Sequence, residues 1–461
     1  MKICFLPIDN RPVCYLLPSD IAQIDTDIEL ILPPREYLGD LKKNAQVENL
    51  FAWLKSLSKV DSIILSLDTI AYGGLIPSRR SSDSFETIKT RIDELRTILL
   101  EKVSQGARVY AFSSIMRISN NNVNEEEKEY WAQWGKKLFD YSYHSHKCNG
   151  ESCIKQVIPS EIIDDYLDTR KRNFEINKIY LQWQKDGIFD TLIFSKDDCA
   201  EYGFNVLEAQ ELEKLGGYTK TGADEIPLAL FARAVQGSVK IAPIFLAPEH
   251  KGLISKYEDV SIEKSVISQI ELAGCEVSDV ENCDIALVVN NFEQEQGEIV
   301  MNIPTKPFED SLILPLKPVM FADVRYANGA DNMFLERVLA KIKTSYGYSA
   351  WNTSANTLGS LICGAKVKFL AKRYDNKAFL KLQTIRLLDD WAYQANIRQI
   401  LRKGGNSEIK NLMKPYEDRI LSELNFKFDV EYMFPWNRLF EIECLVSPLM
   451  CSQKEESVEL A

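Results

Sequence analysis

The chain has 461 residues, of which 45% are hydrophobic, 26% charged and 10% aromatic, the composition of an ordinary globular protein with enough apolar surface for a large core. Lys and Arg total 55 against 67 Asp and Glu, a net charge of -12, and no dense block of basic residues interrupts this balance; a nucleic-acid partner, which needs a local positive surface, is therefore not expected. No run of about eighteen uncharged apolar residues suggests a membrane span, and Asp9 and Arg11 break the N-terminal apolar run too early for a signal peptide, so the expectation is a cytoplasmic protein with no membrane partner.

Short β-branched or aliphatic runs, each ending abruptly in polar residues, recur at 3–8, 28–32, 62–67, 108–112, 191–194, 239–246, 285–289 and 319–322, with 348–351 a weaker ninth. Continuous apolar runs of this length suit strands covered on both faces, as in a parallel sheet. Helical spacing separates several of them: Ile88, Ile92, Leu95, Ile98 and Leu99 share one face of 85–103, and 262–272 runs into a stop signal at Gly274. Strands alternating with helices define βα units. Eight or nine such units predict an α/β fold, a TIM-like (β/α)8 barrel over residues 1–364, with 28–32 as an extra or edge strand; a doubly wound open sheet is the competing arrangement.

Between the fifth and fourth apolar runs from the N-terminus lie His144, His146, Cys148 and Cys153, four potential zinc donors. The segment is polar and lacks a C-x2-C pair, so it reads as an exposed loop between two helices, and no metal is assigned. The ten cysteines, several inside apolar runs, read as buried reduced thiols. From residue 365 the pattern changes. Helices are expected over 370–401 and 407–424, then alternating strands over 426–432 and 439–446, joined through Phe434-Pro435-Trp436-Asn437-Arg438. These make a smaller α+β region, 365–461, packed on the barrel and ending in a polar, acidic tail. No internal repeat is visible.

Loops that follow parallel strands converge on one face. The polar residues placed there are Asp9, Asn10 and Arg11; Asp68, Tyr72 and Arg79; Ser113 and Arg117; Asp197 and Asp198; Glu249 and His250; Asn290 and Asn291; Asp323, Asn328 and Asp331; and Trp351, Asn352 and Asn356. Carboxylates and amides dominate this set and histidine is scarce, which suits a polyhydroxylated ligand, a small carbohydrate. Asp197 and Asp198 are the favoured catalytic pair, because repulsion and unequal burial can keep one carboxyl protonated as general acid while the other stays ionised; helix capping is the alternative. Asp323 to Asp331 reads equally as a turn around Asn328-Gly329, and Trp351 as core; Gly73-Gly74 and Gly222 to Glu225 read as tight loops bordering the pocket, with the Asp224-Glu225 pair assigned to helix capping. No phosphate loop, dinucleotide fingerprint, nucleophile elbow or H-E-x-x-H motif occurs, so no cofactor is expected, although Asp68, Asp197 and Asp323 leave a divalent ion open.

The segments Leu6-Pro-Ile-Asp-Asn-Arg-Pro12, Ser66-Leu-Asp-Thr-Ile-Ala-Tyr-Gly-Gly74, Met116-Arg-Ile118, Lys196-Asp-Asp198, Gly222-Ala-Asp-Glu225, Ala327-Asn-Gly-Ala-Asp331, Ala350-Trp-Asn-Thr353 and Pro435-Trp-Asn-Arg438 are similar, nearly end to end, to a large bacterial family catalogued as a domain of unknown function, DUF4127. More distantly, the order of strand-end motifs resembles that of O-GlcNAcase and hyaluronidase-type β-N-acetylglucosaminidase barrels. That resemblance implies a glycoside hydrolase acting on N-acetylhexosamine-type sugars with help from the substrate: Asp197 would orient the acetamido group, Asp198 would be the general acid/base, and Asp331 with Asn352 or Asn356 would hold hydroxyls. Val324 departs from that pattern, standing where those barrels carry Asn. Two alternatives remain. An enzyme acting on an anionic or phosphorylated sugar is suggested by Arg11, Arg79 and Arg117 at successive strand ends, and the other is a non-catalytic carbohydrate-binding protein on the same scaffold.

Overall fold

The computed structural model describes residues 1–148, 150, 157–197, 199–309, 311–404 and 408–449. Its first half is built on β1 (Lys2–Leu6), β2 (Glu29–Ile31), β3 (Ser62–Ser66), β4 (Arg108–Ile115), β5 (Thr191–Lys196) and β6 (Thr219–Thr221). All six pair in parallel, in the order β2-β1-β3-β4-β5-β6. Successive side chains of a strand point to opposite faces, and here both faces are covered. Cys4, Leu6, Ile63, Leu65, Val109 and Ala111 meet the helices Val47–Ser56, Phe85–Ser104 and Ser160–Lys185, whereas Ile3, Phe5, Ile64, Tyr110, Phe112 and Ile193 face inward to a core shared with the rest of the molecule.

The second half carries β7 (Lys240–Phe245), β8 (Glu276–Val277), β9 (Ile285–Asn290), β10 (Gly297–Glu298), β11 (Val319–Asp323), β12 (Tyr326–Ala327) and β13 (Tyr348–Ser349). Five of them form a parallel sheet in the order β13-β11-β9-β7-β8, while β10 and β12 pair separately. Counted within each half, the second strand lies on the edge, followed by the first, third, fourth and fifth, so one doubly wound topology occurs twice. The parallel α/β architecture expected from the apolar runs stands, and 28–32 is indeed an edge strand, now β2. Closure into one (β/α)8 ring is not what these ladders show. A barrel places each strand beside the next; here β1 pairs with β3 and β7 with β9, leaving β2 and β8 on edges.

One helix joins the halves. Ile226–Ala234, IPLALFARA, is buried all round except at Arg233, and it packs on β3, β4 and β5 and against the helix Ser354–Leu370. A helix apolar on every side has nowhere to go but an interior, and each large side chain buried there contributes about 1.5–3 kcal/mol.

Beyond residue 370 the single helix expected over 370–401 is broken. Ser354–Leu370 stops at Ala371, and Asn376–Arg386 starts afresh with the Asp375 carboxylate accepting from the Lys377 and Ala378 amides. It widens into a π-helical stretch, Leu387–Ile397, and ends as Arg398–Arg402. Helix Ile409–Leu424 leads to β14 (Phe428–Met433) and β15 (Glu443–Pro448), an antiparallel pair in which Val430 stands opposite Val446. Among the described residues, no helix is long and apolar enough to cross a membrane. The eight described cysteines are free thiols and six of them are buried.

The reading of His144 and His146 as loop residues is corrected: both lie in the last turn of the helix Trp131–Lys147, where His146 Nδ1 accepts from the Gly203 amide at 3.0 Å and His144 Nδ1 sits 2.7 Å from the Asp140 carbonyl. Cys148 follows as an exposed thiol, and Cys153 lies outside the described residues. Among the described residues, no three His, Cys, Asp or Glu side chains converge on a metal-sized site, at these histidines or at Asp68, Asp197 and Asp323.

Candidate active site

Residues that follow the carboxyl ends of both sheets line a single cavity of about 460 Å³, closed on one side by the C-terminal region. In open parallel sheets ligands bind outside the carboxyl ends of the strands, and this volume is that of a small-molecule site.

After β1 the chain turns sharply because the Asp9 carboxylate accepts from the Arg11 amide at 3.1 Å. Arg11 Nε donates to both Asp9 oxygens, at 3.0 and 2.9 Å, and its Nη1 and Nη2 donate to the two Asp224 oxygens at 3.1 and 2.6 Å; Glu441 lies 3.4 Å from Nη1. One guanidinium thus serves three buried carboxyls. Burial pushes Glu441 up to about 8, against the pull of Arg11, so this carboxyl holds a proton near neutrality. Asp224, which the sequence assigned to helix capping, is instead a wall of the cavity, and Glu225 accepts from the Ala223 amide and from Gln269 rather than capping Ile226–Ala234.

After β4, Arg117 bonds Asp197 at 3.2 Å, Glu126 at 2.8 Å and Glu127 at 3.3 Å. Burial opposes the charge on Glu126, but Arg117, Arg79 and Arg438 together hold it well below the usual carboxylate range. Lys196, the last residue of β5, pairs with Asp259, which also accepts from Thr221 at the end of β6. Asp198, half of the expected catalytic pair, lies outside the described residues.

The second sheet supplies a different kind of group. Glu258, in the loop after β7, is buried on the cavity wall. Its Oε1 accepts from the Ala355 amide in the first turn of Ser354–Leu370 at 2.6 Å, while Oε2 has no hydrogen-bond partner among the described residues. Burial, partly offset by the Ala355 amide and the nearby Ser265 hydroxyl, pushes this carboxyl up to about 7. Asn356, on the same turn of helix, also presents a buried Oδ1 without a partner. Asn328 and Asn352 line the cavity in left-handed backbone conformations, φ 61° and 57°, which asparagine tolerates better than most residues. The Asn328 amide donates to the Asn352 carbonyl at 2.8 Å and its Nδ2 donates to Glu298 at 2.6 Å.

The C-terminal region contributes Trp436, held at φ 57° and ψ 19°. A bulky residue held there costs on the order of 1–2 kcal/mol, offset here by its surroundings: Nε1 donates to Asn10 Oδ1 at 2.8 Å, and the Arg11 and Arg438 guanidinium carbons lie 5.5 and 4.8 Å from the ring centroid. Arg398 and Arg402 complete the wall.

Of the residues expected at the site, Asp9, Arg11, Arg117, Asp197, Asn328, Asn352 and Asn356 line the cavity. Several others are buried behind the cavity wall or bonded to it. Asp68 is wholly buried, accepts from the Ser114 amide at 2.7 Å, and is pushed up to about 7 by burial. Tyr72 is buried beneath Arg172, and Arg79 pairs with Glu127 at 3.1 Å. Asp323 accepts from Asn290, the Asp331 amide and Tyr348, and is pushed up to about 8 by burial and by Asp331. Asp331 caps the helix Asn332–Ile342 through the Met333 amide, Trp351 is buried in the core, and Asn10 anchors Trp436. The expectation that the loop Gly222 to Glu225 borders the pocket holds for Gly222, Ala223 and Asp224; the sequence reading missed Glu258, Arg398, Arg402 and Trp436, of which only Trp436 sat in a segment it had singled out.

Fold and site together define an α/β protein with a polar cleft, of a size suited to a small molecule, at the carboxyl ends of two parallel sheets. The chain belongs to the family described as a protein of unknown function, DUF4127, whose model matches residues 3–444, a span that includes the cleft from Asp9 to Glu441. No match to a curated protein was found.

Proposed function

We propose that the chain is a glycoside hydrolase acting on a small carbohydrate in this cleft, with Glu258 as proton donor and Asp197 as the second carboxylate. The observation that carries the reading is Glu258: buried on the cavity wall, pinned through one oxygen, with the other unbonded and its proton affinity raised to about 7. A general acid works best when its pKa lies near the working pH. The amides of Asn328, Asn352 and Asn356 and the Trp436 indole suit a ring bearing several hydroxyls.

In this scheme Glu258 Oε2 gives its proton to the bridging oxygen as the glycosidic C–O bond breaks. Water adds at the anomeric carbon and loses its proton to Asp197, and exchange with solvent restores both carboxyls; the products are a free sugar and an alcohol. On an N-acetylhexosamine, the substrate's acetamido oxygen would attack first and Asp197 would orient it. The acid role expected of Asp198 passes to Glu258. The proposal includes a cytoplasmic setting, in which the free thiols stay reduced.

A panel of alkyl glycosides, whose leaving groups need a proton, tests the reading. Wild-type protein is expected to hydrolyse at least one of them, and Glu258→Gln to lose a hundredfold or more of kcat while melting within about 2 °C of wild type. Binding without turnover would instead make the chain a carbohydrate-binding protein, and unchanged turnover in Glu258→Gln would remove Glu258 from the reaction.

A further inference from the structure

Most cations on the cleft wall already have counter-ions: Arg11 has Asp9 and Asp224, Arg117 has Glu126 and Asp197, and Lys196 has Asp259. Arg398 has none. It is only 5% exposed, its Nη1 donates to the Gln394 amide oxygen at 2.9 Å, its buried Nε has no acceptor, and it forms no ion pair with any described residue. Phe440 backs the guanidinium, with its ring centroid 5.1 Å from the Arg398 guanidinium carbon. Arg402, one helical turn later on Arg398–Arg402, is exposed, and its guanidinium has neither a hydrogen bond nor an ion pair with a described residue.

Burying a guanidinium without a contacting counter-ion is unfavourable, and the second cation at i+4 on the same helix adds repulsion that Glu298 and Asp389 offset only from a distance. Both terms are relieved by an anion that reaches the wall from the cavity, and planar guanidinium forks match the oxygens of carboxylate, sulfate and phosphate groups. The arginines expected from the sequence to grip an anion, Arg11, Arg79 and Arg117, are committed to protein carboxylates instead. We infer that the ligand of this cleft is an acidic sugar, and that Arg398 and Arg402 receive its carboxylate, sulfate or phosphate group. The inference rests on the reading of the cleft as a carbohydrate site.

Calorimetric titration with a hexuronic acid, a hexose 6-sulfate, a hexose 6-phosphate and the neutral hexose tests it on wild type, Arg398→Met and Arg402→Met. At least one acidic sugar is expected to bind wild type ten times more tightly than the neutral hexose, and the arm that responds identifies the anion. Arg398→Met should lose roughly ten- to a hundredfold of that preference and Arg402→Met a smaller part, because its charge stays in water. Arg398→Met should also melt close to wild type, since it removes a buried charge with no contacting counter-ion together with one hydrogen bond to Gln394; were it to unfold, the exposed Arg402→Met still carries the test. Equal affinity for neutral and acidic sugars, no binding of any of the four, or a preference intact in both variants would overturn the inference. Because binding is read, an anion preference can survive the absence of hydrolysis, and hydrolysis of neutral glycosides can survive the loss of the preference.

Discussion

The two parallel sheets share a strand order but not a chemistry at their carboxyl ends. Around the first, each charged cleft residue has a partner: Asp9 and Asp224 share Arg11, Asp197 and Glu126 share Arg117, and Lys196 holds Asp259. Around the second, the cleft carboxylates Glu258 and Glu298 have no contacting ion pair with a described residue, and Glu258 Oε2 and Asn356 Oδ1 make no hydrogen bond among them. A paired set is held in place before any ligand arrives, whereas unbonded buried polar atoms represent a cost that a ligand removes. Under the proposed function, the difference would give positioning to the first half and hydrogen bonding to the reacting group to the second.

The largest expected effect breaks the first half. Arg11→Met leaves three buried carboxyls around an apolar side chain and should cost about 3–5 kcal/mol in urea unfolding at neutral pH. The loss should shrink as pH falls, because burial raises Asp224 above the usual carboxylate range and its protonation removes one of the charges Arg11 had balanced. Glu258→Gln, the matching change in the second half, should cost less than about 1 kcal/mol, because the carboxyl it replaces has no ion pair and is already half protonated near pH 7. Equal losses in the two variants would erase the distinction.

A second test uses pH alone. Asp323 is pushed from 3.8 to about 8 in the folded chain, so the folded state binds a proton that the unfolded state releases above pH 4. The stability Asp323 contributes is fully present below about pH 4 and is lost as pH rises through 8, with a slope of up to about 1.4 kcal/mol per pH unit for one proton. Asp323→Asn should flatten the melting temperature between pH 4 and 8; an unchanged slope would place the proton elsewhere. The smallest effect sharpens the local picture of the second sheet: at the left-handed position of Asn352, Ala should cost about 1 kcal/mol in unfolding free energy and Gly close to nothing.

Much of the scaffold was legible in the sequence because strands buried on both faces leave continuous apolar runs, as Ser62–Ser66 and Ile285–Asn290 do. The edge strands β6, Thr-Lys-Thr, and β8, Glu-Val, have no such runs and left no signal. Without β8 the strands appear to follow one another around a ring, and nothing reveals that the topology is doubled. At the site, Asp9 and Asp197 were legible because they follow strands and face outward. Asp68 and Asp323 occupy comparable places yet turn back to bond β4 and the neighbours of β11, a matter of side-chain direction that position along the chain does not encode. Glu258 comes from well past the end of β7, and Arg398 from a helix that only tertiary packing brings to the cleft.

The central claim, that Glu258 delivers a proton to a departing sugar oxygen in the cleft between the sheets, is tested most directly by leaving-group dependence. A dinitrophenyl glycoside departs without protonation, whereas an alkyl glycoside of the same sugar requires it. The account predicts that Glu258→Gln keeps most of the wild-type rate on the first and loses about 10²–10⁴-fold on the second. Equal losses on both, or none on either, would contradict it.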